Sequence, residues 1–221
     1  MLFSIALLVI LVGGFTYYNE RAAVKVGLQG LKTLSGEISS HLESHLLEAS
    51  NMATTLSSAP LISDSLELSN RGFATLSETE RNRSIEQLNK QWMAINDLSD
   101  PFVDKHLNNA VAAFLKQQQL LFPGMYGEVF LTNRFGVMIA STGKLTTLAH
   151  AHKYWWKAAY NSGLGRVFYD DRGFDTSVGG YVLGVVIPIL KGGEIIGILK
   201  ANINILGPIK SLIDSARLKH G

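Results

Sequence analysis

Gly127-Glu-Val-Phe-Leu-Thr-Asn-Arg-Phe-Gly-Val-Met-Ile-Ala-Ser141 is the stretch that decides the fold. Glu128 to Thr132 reads as a short strand, Asn133-Arg134-Phe135-Gly136 as a turn, and Val137 to Ser141 as a second strand. Gly136 suits the left-handed position that closes such a hairpin, because a residue without Cβ adopts it at no steric cost. Downstream, Tyr154 to Ser162 can form a helix and Arg166 to Tyr169 a third strand. Tyr181 to Leu190 and Glu194 to Asn204 are longer β-rich runs, joined by the hairpin signal Lys191-Gly192-Gly193. Five mostly antiparallel strands with one helix inserted after the second predict an α+β sheet domain.

Upstream the grammar is helical. From Glu20 to about Ser57, Leu28, Leu31, Leu34, Ile38, Leu42, Leu46 and Met52 recur at helical spacing and give one apolar stripe. Gly27, Gly30 and Gly36 weaken its first half, each costing about 1 kcal/mol relative to alanine. Pro60 marks the end, since the residue before a proline resists the helical conformation. A second helix is expected from Glu78 to Leu98, with Ser77 and Glu80 spaced as a capping box. A third runs from Pro101 to Leu121 and stops at Pro123-Gly124. Ile209 to Leu218 is a final amphipathic helix, after an interruption at Gly207-Pro208.

Met1 to Phe15 carries no charge and is followed by Tyr17 and Tyr18. A membrane-spanning helix needs about 20 apolar residues, with a usable range of about 17–25. The segment reaches the lower end if the tyrosines form an interfacial belt. A cleaved signal peptide has a basic start and a small-residue cleavage site, neither of which is evident, so an uncleaved anchor is the better reading. Basic residues gather on the cytoplasmic side of a span, yet here Arg21 and Lys25 follow it and none precedes it. That bias argues for a cytoplasmic main domain; a start codon placed too late would remove the conflict. The chain therefore divides into an anchor (1–18), a membrane-proximal helical part (19–122), a sheet core (123–206) and a terminal helix (207–221).

Composition excludes several classes. Charged residues make up 17% of the 221, and the net charge is only +2, so no basic face for nucleic acid is expected. The absence of cysteine removes disulfides, thiolate metal sites and a cysteine nucleophile. No GxSxG elbow, Walker loop or HExxH pattern is present, and no enzyme activity is expected.

The sequence resembles the Cache family of extracellular sensor domains, which share a PAS-like fold. The resemblance rests on Gly127 to Gly136, Ala140-Ser-Thr142, Trp155-Trp156-Lys-Ala-Ala-Tyr160, Phe174-Asp175-Thr-Ser177, Val182 to Pro188 and Gly192-Gly-Glu-Ile-Ile-Gly197. It covers about Met125 to Asn204; the long helix before it matches the family's layout. The resemblance implies a receptor input module that binds amino acids, organic acids or amines between the sheet and its inserted loops. Such modules serve chemoreceptors, histidine kinases and cyclic-nucleotide signalling enzymes, outside the membrane. The amino-acid-binding branch places a basic residue two before a Trp-Tyr pair and an aspartate later. Here Lys153 precedes Trp155, Trp156 replaces the tyrosine and Asp175 falls at the aspartate. Lysine gives a point charge where arginine gives a two-pronged clamp, so amino-acid specificity is not carried over.

The expected ligand-binding residues are Trp155, Trp156, Asp175, Tyr169, Lys153 and Ser141. Neighbouring positions on a helix face about 100° apart, so one tryptophan is expected in the pocket and the other in the core. Asp175 with Tyr169 and Asp170 is placed to hold an amino group or cation, although Asp170 and Asp171 read better as a solvated loop. His150-Ala-His152 is taken as an exposed loop, and His41 and His45 as a solvated helix face. Neither pair has the further ligands of a metal site. No cofactor is expected; a PAS-type domain holding haem or flavin is a third reading that colourless protein would sink. The leading reading is thus a membrane-anchored, periplasmic or extracellular small-molecule sensor, homodimeric through its long helix. The alternative is a tethered dimerisation or protein-interaction module without a ligand.

Overall fold

The computed structural model describes residues 2–175 and 178–220, and their side chains except those of residues 2–11, 208, 212 and 216–220. It divides into two compact units, residues 1–44 with 211–221, and residues 45–210. Helix α1 spans Leu2–Ser57, longer than the expected start at Glu20. Among the described residues no helix is long and apolar enough to cross a membrane. Most of the apolar run expected to anchor the chain, residues 1–11, lies outside the described side chains.

The sequence pattern did not mark α2, Pro60–Ala74. Pro60 starts this helix as well as following the last one, because a proline at the first helical position lacks only an N–H that would be unpaired there. α3 spans Glu78–Ala94, and its capping box forms: Glu80 N–H donates to Ser77 Oγ, and Ser77 N–H donates back to the Glu80 carboxylate at 3.0 Å. The single helix expected over Pro101–Leu121 is two, α4 Pro101–Leu107 and α5 Ala110–Leu121. Asn109 makes the break, accepting the Ala112 N–H at 2.9 Å as the cap of α5.

The strands are β1 Tyr126–Asn133, β2 Met138–Ser141, β3 Phe168–Asp175, β4 Gly180–Lys191 and β5 Glu194–Asn204. They form one antiparallel sheet in the order β2-β1-β5-β4-β3, with helix α6, Tyr154–Tyr160, inserted between β2 and β3. This is the expected five-stranded α+β architecture. Gly136 sits at φ 77°, and a side chain there would strike the Ala151 backbone. α7, Leu206–His220, closes the chain without the expected break at Gly207-Pro208.

The pleat sorts each strand between two faces. Val129, Leu131, Val185, Ile187, Leu199, Ala201 and Ile203 form one core with Ala49 and Ala53 of α1, Ile62 and Leu66 of α2, and Leu115 of α5. Phe130, Val186 and Ile198 face the other way and pack with Trp92, Leu148, Trp155 and Trp156. In the middle of β1, β4 and β5, odd-numbered positions thus face one core and even-numbered positions the other.

Candidate functional site

On the even-numbered face the apolar packing gives way to a cavity of about 390 Å³. Strand register explains its floor. Glu128 lies opposite Asn202, Asn202 opposite Gly184, and Gly184 opposite Asp170, so four adjacent strands contribute one cross-strand row. One pleat away, Phe130 lies opposite Lys200. Gly184 keeps the row open: a Cβ there would sit 2.7 Å from Lys200 Cε and 3.0 Å from Asp170 Cβ. Leu145, Thr147, His150 and Lys153 from the loop before α6, Trp155 of α6, and Arg172, Phe174 and Asp175 of β3 complete the lining.

The charges are arranged rather than scattered. Lys200 Nζ donates to Asp170 Oδ2 at 2.9 Å, with side chains only 6% and 11% exposed. The same ammonium lies 4.6 Å from the centre of the Trp155 ring, whose π-face attracts a cation. Asn202 Nδ2 donates to Glu128 Oε1 at 3.0 Å and to Asp175 Oδ2 at 3.1 Å, tying two carboxylates together. Both amide protons are then used, while Asn202 Oδ1 is buried with no hydrogen-bond partner. Asp170 Oδ1 has Arg172 Nε at 3.8 Å, beyond hydrogen-bonding distance.

His150 is buried against Phe130 and Trp155, with ring centroids 5.2 and 5.5 Å away. Neither of its ring nitrogens has a hydrogen-bond partner in good geometry. Burial, and then the positive charges of Lys153 and Lys200, push its pKa down to about 3, outweighing a weak opposing contribution from the Thr147 backbone. It is neutral at ordinary pH, able to donate from one nitrogen and accept at the other. Thr147 Oγ1 is likewise buried and unpartnered. Among the described residues, five of the six buried side-chain polar atoms without a partner belong to residues lining this one cavity; Tyr154 Oη is the sixth.

Of the sequence-derived candidates, Trp155, Lys153 and Asp175 line the cavity and Trp156, Tyr169 and Ser141 do not. Trp156 is buried in the core, where its Nε1–H donates to Thr132 Oγ1 at 3.1 Å and its ring stacks on Tyr160 at 4.8 Å. The half-exposed Tyr169 places its hydroxyl 3.2 Å from Ser50 Oγ. Ser141 is fully buried in β2, and its Oγ accepts from the Gly143 N–H at 3.3 Å. Thr176 and Ser177, which complete the Phe174 motif, lie outside the described residues.

Three expectations are corrected. Asp170 is not in a solvated loop, because β3 continues to Asp175 and turns its side chain toward Lys200. His150 is not exposed, because the chain bends back at Gly136 and its N–H donates to the Gly136 carbonyl at 2.7 Å. Glu128, Lys200 and Asn202 were missed. Their signal is in β5: Lys200 and Asn202 occupy alternate positions within its apolar run Ile195 to Ile203, and so share one face. His45 also departs from a solvated face, its Nε2 lying 3.2 Å from the Asn204 carbonyl.

This geometry, a five-stranded antiparallel sheet with a polar cavity roofed by an inserted loop and helix, is a Cache/PAS-like α+β fold. Among solved structures the chain is similar to the sensor domain of the Vibrio cholerae histidine kinase DctB, at 17% identity and a TM-score of 0.50, covering 82% of this chain and 57% of that one. It is also similar to the ligand-binding domain of the Campylobacter jejuni chemoreceptor Tlp3 in complex with 4-methylisoleucine, at 20% identity and a TM-score of 0.37, covering 78% of this chain and 63% of that one. A third is the Escherichia coli DcuS sensor domain, at 13% identity and a TM-score of 0.37, covering 60% of this chain and 93% of that one. All three are named as sensor or ligand-binding domains. The chain spans less than two thirds of the DctB and Tlp3 domains it matches. No protein-family model and no curated protein matches it.

Proposed function

We propose that this chain is the small-molecule-sensing input module of a receptor, and that the cavity takes a ligand bearing a cationic amine. The observation that carries this reading is the clustering of buried, unpartnered polar atoms on one cavity. A buried polar group without a partner costs about 1–3 kcal/mol, and several at one place describe a site whose partner comes from outside the chain. The floor supports one polarity. Asn202 Oδ1 and Asp170 Oδ1 are acceptors, so the group that meets them is a donor, and Glu128, Asp170 and Asp175 favour a positive one. Lys153 and Arg172 supply donors for an acidic end of the same molecule, which makes amino acids and related amines the favoured class.

In this reading residues 1–18 anchor the chain in the inner membrane with the sheet domain outside. The apolar stripe of α1, with Leu28 and Leu31 exposed, pairs with a second copy. Ligand acts by favouring one of two arrangements of the domain, which requires different affinity for the two.

The test is thermal denaturation of the purified chain against amino acids, organic acids, amines and purines. A selective rise with amine-bearing compounds is expected, worth about 2.7 kcal/mol at a hundredfold excess over Kd. It is lost in Trp155→Ala and Asp175→Ala variants that still fold. A flat response across the panel in folded protein moves the assignment to the tethered interaction module.

A further inference from the structure

A second cavity, of about 440 Å³, lies between α2, α3, the α4–α5 corner and β2. Its chemistry is the opposite of the first. Leu68, Phe73, Leu88, Phe102, Val137 and Met138 supply an apolar wall, and among the described residues the lining contains no carboxylate. The remaining polar groups are mostly satisfied from within the chain. Asn109 Nδ2 donates to the Lys105 and Ile139 carbonyls at 2.8 Å, while Asn109 Oδ1 caps α5. Ser69 Oγ accepts from Asn133 Nδ2 at 3.0 Å. His106 Nδ1 lies 2.8 Å from the Phe102 carbonyl, and burial holds the His106 pKa below its ordinary value, which favours the neutral ring.

Among the described residues Lys105 is the single charged side chain in the lining. Its ammonium sits 4.6 Å from the centre of the Phe102 ring and forms no ion pair among the described residues. An apolar pocket of this size with one cation at its edge complements an apolar body carrying one negative charge. We infer that this cavity is a second binding site, for a small apolar carboxylic acid, separate from the polar cavity on the sheet.

Its walls are tied to the first cavity. The fully buried Trp92 ring lies edge-on to Phe102 and His106, at 6.3 and 5.5 Å, and its Nε1–H donates to the Leu145 carbonyl at 2.8 Å. Asn89, one residue along α3 from Leu88, accepts the Leu148 and Ala149 N–H groups at 2.9 and 3.0 Å. An occupant of the second site thus bears on the loop that carries Leu145, Thr147 and His150 into the first.

Calorimetric titration of the full chain with 3-phenylpropionate, and with its neutral amide, tests the assignment. Saturable binding of the acid is expected, weakened about tenfold by Lys105→Gln, as befits loss of one charge-assisted contact. The amide binds native protein and Lys105→Gln alike. Ala110→Phe, at an exposed lining position, fills the cavity and abolishes binding of both. Gly184→Val, which closes the polar cavity, leaves the acid binding saturably, so failure here is separable from failure of the sensor reading. Three results overturn the inference: no saturable binding of the acid, an affinity untouched by Lys105→Gln, or loss of acid binding in Gly184→Val.

Discussion

The two faces of the sheet come from the same strands yet are built for different ends. The central odd-numbered positions of β1, β4 and β5, Val129, Leu131, Val185, Ile187, Leu199, Ala201 and Ile203, present aliphatic side chains to α1, α2 and α5 and close into an apolar core. Even-numbered positions one residue away present Glu128, Gly184, Lys200 and Asn202 to a cavity. Close packing is what gives the first face its stability. The second face departs from close packing, and its open volume, buried charge pair and unpartnered atoms lower stability unless a ligand offsets them. The difference teaches that a strand read only for its hydrophobic content conceals which of its two faces carries the chemistry.

The largest expected effects fall on both faces, for different reasons. Leu199→Ala empties a fully buried site on the dry face and should cost about 2–5 kcal/mol in denaturant unfolding, with ligand affinity intact. Lys200→Met on the polar face should cost about 3 kcal/mol, because Asp170 is left as a buried charge. The separating measurement is the double variant Asp170→Asn/Lys200→Met. Removing both charges should recover most of that loss while leaving ligand binding impaired. No recovery would mean that the pair matters as packing and not as charge.

The pH response gives an effect of intermediate size. His150 has a folded pKa near 3, below its ordinary value of 6.5. Its contribution is fully present above pH 6.5 and is lost as pH falls toward 3, since the unfolded chain takes up a proton that the folded one refuses. The slope is about 1.4 kcal/mol per pH unit at most. Between pH 6 and 4, native protein should therefore lose stability more steeply than His150→Leu. Parallel curves would show that His150 is protonated in the folded state and would remove it from the neutral lining. Smallest of all, Tyr169→Phe removes a half-exposed hydroxyl contact to Ser50 and should change stability by less than about 1 kcal/mol. Ligand affinity should not change.

The sheet was legible because its punctuation is strong. Gly136 and Gly192-Gly193 mark two hairpins, and those hairpins form where the glycines place them. Helix α2 was not legible, because Pro60 stops one helix and starts the next by the same loss of an N–H. The site was legible in part. Lys153, Trp155 and Asp175 were named from the family resemblance, and they line one cavity. Asp170 and His150 were assigned to exposed loops because local polarity carries no information about the partner that buries them, here Lys200 across the sheet and Gly136 across a turn. Lys200 and Asn202 went unnoticed in an apolar run whose alternation only the pleat makes meaningful.

The most direct test is calorimetric titration of the amine that raises thermal stability most, into native protein, Gly184→Val and Leu199→Ala side by side. Binding should disappear in Gly184→Val, where the new side chain enters the space between Lys200 and Asp170, and persist in the less stable Leu199→Ala. Binding that survives Gly184→Val, or that fails in both variants alike, would contradict a ligand site on the even-numbered face.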